Sequence, residues 1–128
     1  MSILYKTVKL KNSLKPEKPD MFIAVGKSRG ELSLDSLSKR ISYLSTVSRA
    51  DVYAVLTVLC DTLPDALKDG NIVRLGNLGS FMIKLKSETA TSAKEINAHK
   101  VKGLKLIFRP SKEFKTELEH FELEKYEP

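Results

Sequence analysis

The chain has 128 residues, 41% of them hydrophobic, enough for one globular core and too little for two. A formal charge of +6 and a pI near 9.4 point toward an anionic partner. One cysteine, Cys60, excludes an internal disulfide framework, no apolar run reaches the roughly 18 residues of a membrane span, and no signal-peptide core is seen, so a soluble cytoplasmic protein is expected.

Residues 1–31 read as an N-terminal addition of two strands. Leu4 to Leu10 alternates loosely and Met21 to Val25 is a second β-rich run. Between them, the K-P-E-K-P-D segment from Lys15 to Asp20 cannot be helix interior, because its two prolines lack the amide hydrogen. A proline-bearing loop is expected there. After Arg29-Gly30, Ser33 reads as the N-cap of a first helix, with Leu34, Leu37, Ile41 and Leu44 recurring on one face. Ser45 to Val47 break it. Ser48 caps a second helix, with Asp51 as the aspartate version of a capping box. Val52, Val55, Leu56, Leu59, Cys60 and Leu63 form an apolar stripe broader than one small partner requires. The breadth predicts burial on two sides, with Cys60 a core residue whose thiol is silenced by apolar surroundings. Pro64 predicts a kink before the helix ends near Asp69-Gly70.

The stretch V-R-L-G-N-L-G-S-F-M-I-K-L from Val73 to Leu85 then reads as a hairpin. Phe81, Ile83 and Leu85 share one face, and Ser80, Met82, Lys84 and Lys86 share the other. Ser87 to His99 is polar, rich in small residues and without clean period, a protruding loop or arm. Val101 to Arg109 returns as a strand with Leu104, Leu106 and Phe108 opposite Lys105, Ile107 and Arg109. Pro110-Ser111 stops it and starts a last helix, from Lys112 to about His120, on the apolar positions Phe114, Leu118 and Phe121. Charge is unevenly placed along this half. Asn71 to Pro110 carries eight basic residues against two acidic, whereas Ser111 onward carries three lysines against six glutamates. The sheet region is the basic pole, and the glutamate-rich end is expected to be loose.

Three segments carry a family likeness: S-R-A-D-V from Ser48, G-N-I-V-R-L-G-N-L-G-S-F from Gly70 to Phe81, and F-R-P-S-K-E-F-K from Phe108 to Lys115. With the order helix, turn, helix, three-stranded sheet with an arm, terminal helix, the chain resembles the HU/integration host factor family of bacterial histone-like DNA-binding proteins over roughly residues 33 to 120. The resemblance implies an α+β, IHF-like fold: a helical base under a three-stranded antiparallel sheet with an arm, as an intertwined homodimer with extra N-terminal strands. The expected layout is a β extension over 1–31, the DNA-binding domain over 32–121, and an acidic flexible tail over 122–128. It also implies a saddle whose arms embrace the minor groove of double-stranded DNA in the nucleoid, with little sequence preference. Lys84 and Lys86 fall on the family's basic positions after the G-x-F strand, and Lys112 and Lys115 on those at the start of the last helix. Lys105 and Arg109 share the basic sheet face, and Lys94, Lys100 and Lys102 lie on or next to the arm. The family's R-x-G-R-N-P-x-T-G arm signature is absent between Ser87 and Gly103, and no proline occurs between Pro64 and Pro110. The base-step wedge that such a proline supplies is therefore missing, and strong kinking is not expected.

A lysine-rich strand face can also be no more than a solvated edge, and Arg74 has a competing structural role beside the turn. The alternative is a dimeric interaction module that keeps the scaffold and has lost or diverted DNA binding. His99 and His120 have no acidic or cysteine partner at ligand spacing, so no metal or other cofactor is expected. G-N-L-G lacks the lysine and hydroxyl of a phosphate-cradling loop, and no nucleophile sits with a base. Neither an enzyme nor a small-molecule substrate is expected.

Overall fold

The computed structural model describes residues 1–10 and 19–128, so the loop expected from Lys15 to Asp20 lies largely outside the described residues. The elements run β1 (Ile3–Leu10), β2 (Met21–Lys27), α1 (Leu34–Leu44), α2 (Arg49–Lys68), β3 (Val73–Arg74), β4 (Gly79–Ser87), β5 (Val101–Pro110), α3 (Lys112–Glu119) and β6 (Leu123–Lys125). This is the α+β class expected from the sequence. The chain divides into two compact units, one of Leu34–Glu117 and one made of Met1–Ser33 with Leu118–Pro128.

In the first unit, α1 begins directly after Ser33, and its Ser38 hydroxyl, fully buried, donates to the Leu34 carbonyl at 2.8 Å. The Ser48 side chain accepts from the Asp51 amide at 3.2 Å, the serine half of the expected box. The α2 helix runs through Pro64 to Lys68 and closes on a Schellman motif. Gly70, at φ 87°, donates to Leu67 and Asn71 donates to Ala66, an exit that demands the left-handed region. Of the broad stripe on α2, Val52 is buried and Leu56, Leu59 and Leu63 are half-buried, while Val55 and Cys60 are exposed. Cys60 is therefore not a core residue of the single chain. A helix presents a wide stripe to two neighbours, and α1 with the sheet supplies only one flank.

The sheet of this unit has the order β3-β4-β5, all antiparallel. Leu75 to Leu78 form its turn, with Leu78 donating to the Leu75 carbonyl at 3.0 Å and Gly76 alone of the central pair at positive φ, 53°. That is the φ signature of a type II′ turn, whose twist suits a hairpin. Gly79 follows at φ 150°, where an added Cβ would collide with the Arg109 carbonyl oxygen, the Phe108 ring and the Pro110 Cα. Only glycine lets β4 lie this close to β5. Ser111 locks the turn to the last helix. Its amide donates to Leu78, its hydroxyl to Asn77, and the same oxygen caps α3 by accepting from the Phe114 amide at 3.0 Å. The Phe114 ring meets Phe108 edge-on at 6.3 Å, and Phe108 lies 4.8 Å from Phe81 across the strand pair.

The second unit is a sheet of order β2-β1-β6. The β1 and β2 strands pair antiparallel from Leu4↔Lys27 to Leu10↔Met21, while β6 pairs with β1 in parallel, Ile3↔Leu123 to Tyr5↔Lys125. The glutamate-rich segment expected to be loose thus carries a strand. Its hold is mostly backbone and charge: Tyr126 donates its amide to Tyr5 at 2.8 Å, Arg29 reaches Glu124 and the Ser2 carbonyl, and the Lys27 ammonium sits 3.9 Å over the Tyr126 ring.

Candidate nucleic-acid interface

Cross-strand register decides what the sheet of the first unit presents. Ser80 lies opposite both Arg74 and Arg109, Met82 opposite Ile107, Lys84 opposite Lys105 and Lys86 opposite Gly103. Directly paired residues share a face, so Arg74, Arg109, Lys84, Lys105 and Lys86 stand on one side of the sheet. All five are exposed, and none has a carboxylate within ion-pair distance among the described residues. The two arginines cap one end and the lysines the other, with the apolar Met82–Ile107 pair between. Two ammonium groups set directly across a strand pair repel each other. Sequence parity foresaw four of these five side chains. Arg74, left aside for its place beside the turn, joins them because the tight turn sets its register on Ser80, a spacing readable in the hairpin itself.

The arm from Glu88 to Lys100 is ordered differently. A register shift between Lys86 and Ser87 moves the pairing from Gly103 to Val101, leaving Lys102 as the extra residue of a bulge. Glu88 gathers the result: its amide donates to the Lys100 carbonyl at 2.8 Å, and its carboxylate lies 2.8 Å from Lys102 Nζ and 3.8 Å from Lys100 Nζ. Two of the three arm lysines are thus partly neutralised, while Lys94, on a short 3-10 turn from Ala93 to Glu95, is exposed. Lys112 and Lys115 lie exposed on α3. Lys112 lines a shallow surface depression with Glu113, Thr116 and Glu117, so its surroundings are mixed in sign.

Arg49 grips Asp35 with two hydrogen bonds, Nε to Oδ1 at 3.2 Å, and that hydrogen bonding, with the positive charge behind it, holds the Asp35 carboxyl below the usual carboxylate range. The pair ties the start of α2 to the first turn of α1. Among the described residues no cluster of three or more His, Cys, Asp or Glu side chains could hold a metal, and no helix is long and apolar enough to cross a membrane.

With this geometry in view, comparison with known proteins defines the class. A family model described as an HU domain fused to a wHTH, Ig or glycine-rich motif matches residues 1–125. The chain belongs to that family, and the resemblance read from Gly70–Phe81 and Phe108–Lys115 holds. Among solved structures it is similar to a candidate bacterial DNA-binding protein from Bacteroides vulgatus, with TM-score 0.61 and 11% identity over 98% of this chain and 50% of that one. The chain therefore spans about half the length of that protein. It is also similar to HU from Anabaena in a cocrystal with DNA, with TM-score 0.51 and 19% identity over 68% of this chain and 97% of that one. No curated protein matches the chain.

Proposed function

We propose that this chain binds double-stranded DNA, with little sequence preference, through the basic face of the β3-β4-β5 sheet and its arm, acting as a homodimer in nucleoid architecture. The observation that carries the proposal is Lys84 placed directly opposite Lys105, flanked by Lys86, Arg74 and Arg109, with no carboxylate partner among the described residues. Such a row is costly in isolation and favourable against phosphates, whose condensed counterions it releases. Lys112, Lys115 and Lys94 would extend it. The face offers no pair of amide or carboxylate side chains arranged to read base edges, which favours shape and backbone contact. Anabaena HU, similar in fold, was crystallised together with DNA, and this supports the same reading.

Dimerisation is supported by what one chain leaves uncovered. Val52 and Leu67 are the buried hydrophobic side chains among the described residues, whereas Leu85, Leu104 and Leu106 on the apolar sheet face and Val55 and Val58 on α2 stay exposed. So small a core does not hold a domain of this size together by itself. A second copy would cover these residues. The second reading, an interaction module with diverted DNA binding, is favoured by one feature, the Glu88 carboxylate held against Lys100 and Lys102.

Fluorescence anisotropy with unrelated random duplexes, titrated at 50 and 200 mM salt, tests the proposal. Comparable affinities on every duplex and a loss of roughly 1,000-fold between the two salts are expected for six or more neutralised phosphates. No binding at either salt rejects it in favour of the interaction module. Sedimentation at micromolar concentration tests the dimer, and a monomer there rejects the shared helical base.

A further inference from the structure

We propose that β2 is a docking edge for a second copy of this chain, which adds its own β2 antiparallel to the first and seats its Phe22 in the hollow beside Gly26. The β2 strand is the terminal strand of its sheet, paired on one side only among the described residues. Its sequence, M-F-I-A-V-G-K, contains no proline, no bulge and one charge, Lys27, at its end. Edges are ordinarily blunted by one of these devices, because an open row of amides and carbonyls recruits another strand. Met21 and Phe22 are 70% and 65% exposed, and Ile23 and Val25 are exposed as well. Both faces of this edge are apolar.

The strand is complementary to itself, which names the occupant. Antiparallel pairing about a two-fold axis at Ala24 sets Met21 opposite Lys27, Phe22 opposite Gly26 and Ile23 opposite Val25. The whole strand is then paired, no like charges meet, and the largest side chain faces the residue with none. Centring the pair on Ile23 or Val25 instead leaves one end of each strand without a partner. Within one sheet, Phe22, Ala24 and Gly26 share a face with Lys9, Thr7 and Tyr5. On that face lies an apolar hollow of about 520 Å³ lined by Ile3, Tyr5, Ala24, Val25, Gly26 and Leu123. A Cβ added at Gly26 would meet nothing within 4 Å. The phenyl ring of the opposing Phe22 falls over this hollow, and the two-fold axis repeats the fit on the other copy. Covering a glycine with a cross-strand aromatic is a recognised way of stabilising such a pair.

The association is independent of DNA binding and is tested without DNA. In the full chain carrying Cys60→Ser, a cysteine at Ala24 sits on the axis, about 4.5–5.5 Å from its copy by Cα, within the range a disulfide spans. A cysteine at Lys27 lies six strand positions from its copy, about 20 Å away. Ala24→Cys is expected to cross-link under mild oxidation at least about tenfold faster than Lys27→Cys. Phe22→Ala, with circular dichroism confirming the fold, is expected to weaken the concentration-dependent gain in sedimenting mass at least roughly tenfold, since two rings lose their seats. Equal cross-linking at both positions, or a mass that Phe22→Ala leaves unchanged, overturns the proposal.

Discussion

Replacing Lys84 with glutamine should stabilise the fold and weaken DNA binding at once. The lysine stands directly across from Lys105, and with the ammonium groups splayed to about 7 Å their repulsion in water is about 0.6 kcal/mol. Screening at physiological salt, over a length of about 8 Å, leaves roughly 0.2–0.3 kcal/mol. A small domain gains about 4–8 °C in Tm per kcal/mol, so calorimetry should find Lys84→Gln higher by about 1–2 °C, and by more at low salt. On DNA the sign reverses. If Lys84 neutralises one phosphate in each subunit of the proposed dimer, its removal reduces the magnitude of the salt slope by about 1.8, so between 50 and 200 mM the wild type loses about twelvefold more affinity than the variant. A raised Tm with an unchanged slope would show a lysine that merely repels its neighbour, and would remove it from the interface. A lowered Tm would refute the cross-strand repulsion itself.

Glu88→Gln should free Lys100 and Lys102 and tighten binding to random duplex a fewfold at low salt with a steeper salt dependence; an unchanged slope would mean that the arm stays clear of phosphate. Gly79→Ala should cost about 3 kcal/mol or more, from the clash with the Arg109 carbonyl and from the φ of 150°, and a Tm within about two degrees of wild type would contradict the close approach of the two strands. Asp35, its carboxyl lowered by the Arg49 hydrogen bonds, should titrate by NMR below an ordinary aspartate and return to the usual range in Arg49→Ala. Because that pKa is depressed on folding, the contribution of the pair is present above the unfolded pKa and is lost as pH falls through the folded one.

Much of the molecule was legible because its signals are local. Period two in Ser80 to Lys86, helical spacing from Leu34 to Leu44, and Ser48 as a cap each rest on a few adjacent residues, and each stands where expected. What escaped depends on partners distant in sequence. The Leu123–Lys125 strand has no pattern of its own and exists because β1 offers an edge. Cys60 lies on an apolar stripe, yet which flank of that stripe one chain covers is set by α1 and the sheet. Glu88 meets Lys102 because a single register shift brings them together, and a one-residue slip is invisible to periodicity. Lys112 and Lys115 were read from the likeness of F-R-P-S-K-E-F-K, and parity alone says nothing of them.

The parallel pairing of β1 with β6 has a consequence for the order of folding. In sequence its two strands precede and follow the entire Leu34–Glu117 unit, so in the denatured chain their meeting closes a very long loop. Each doubling of loop length adds about 0.6 kcal/mol of closure entropy. Once the intervening unit has collapsed, less free chain remains to be restrained and that entropic barrier shrinks. The β1–β6 clasp should therefore be the last element to form and the first to open, a late kinetic phase that stops when the intervening unit is destabilised.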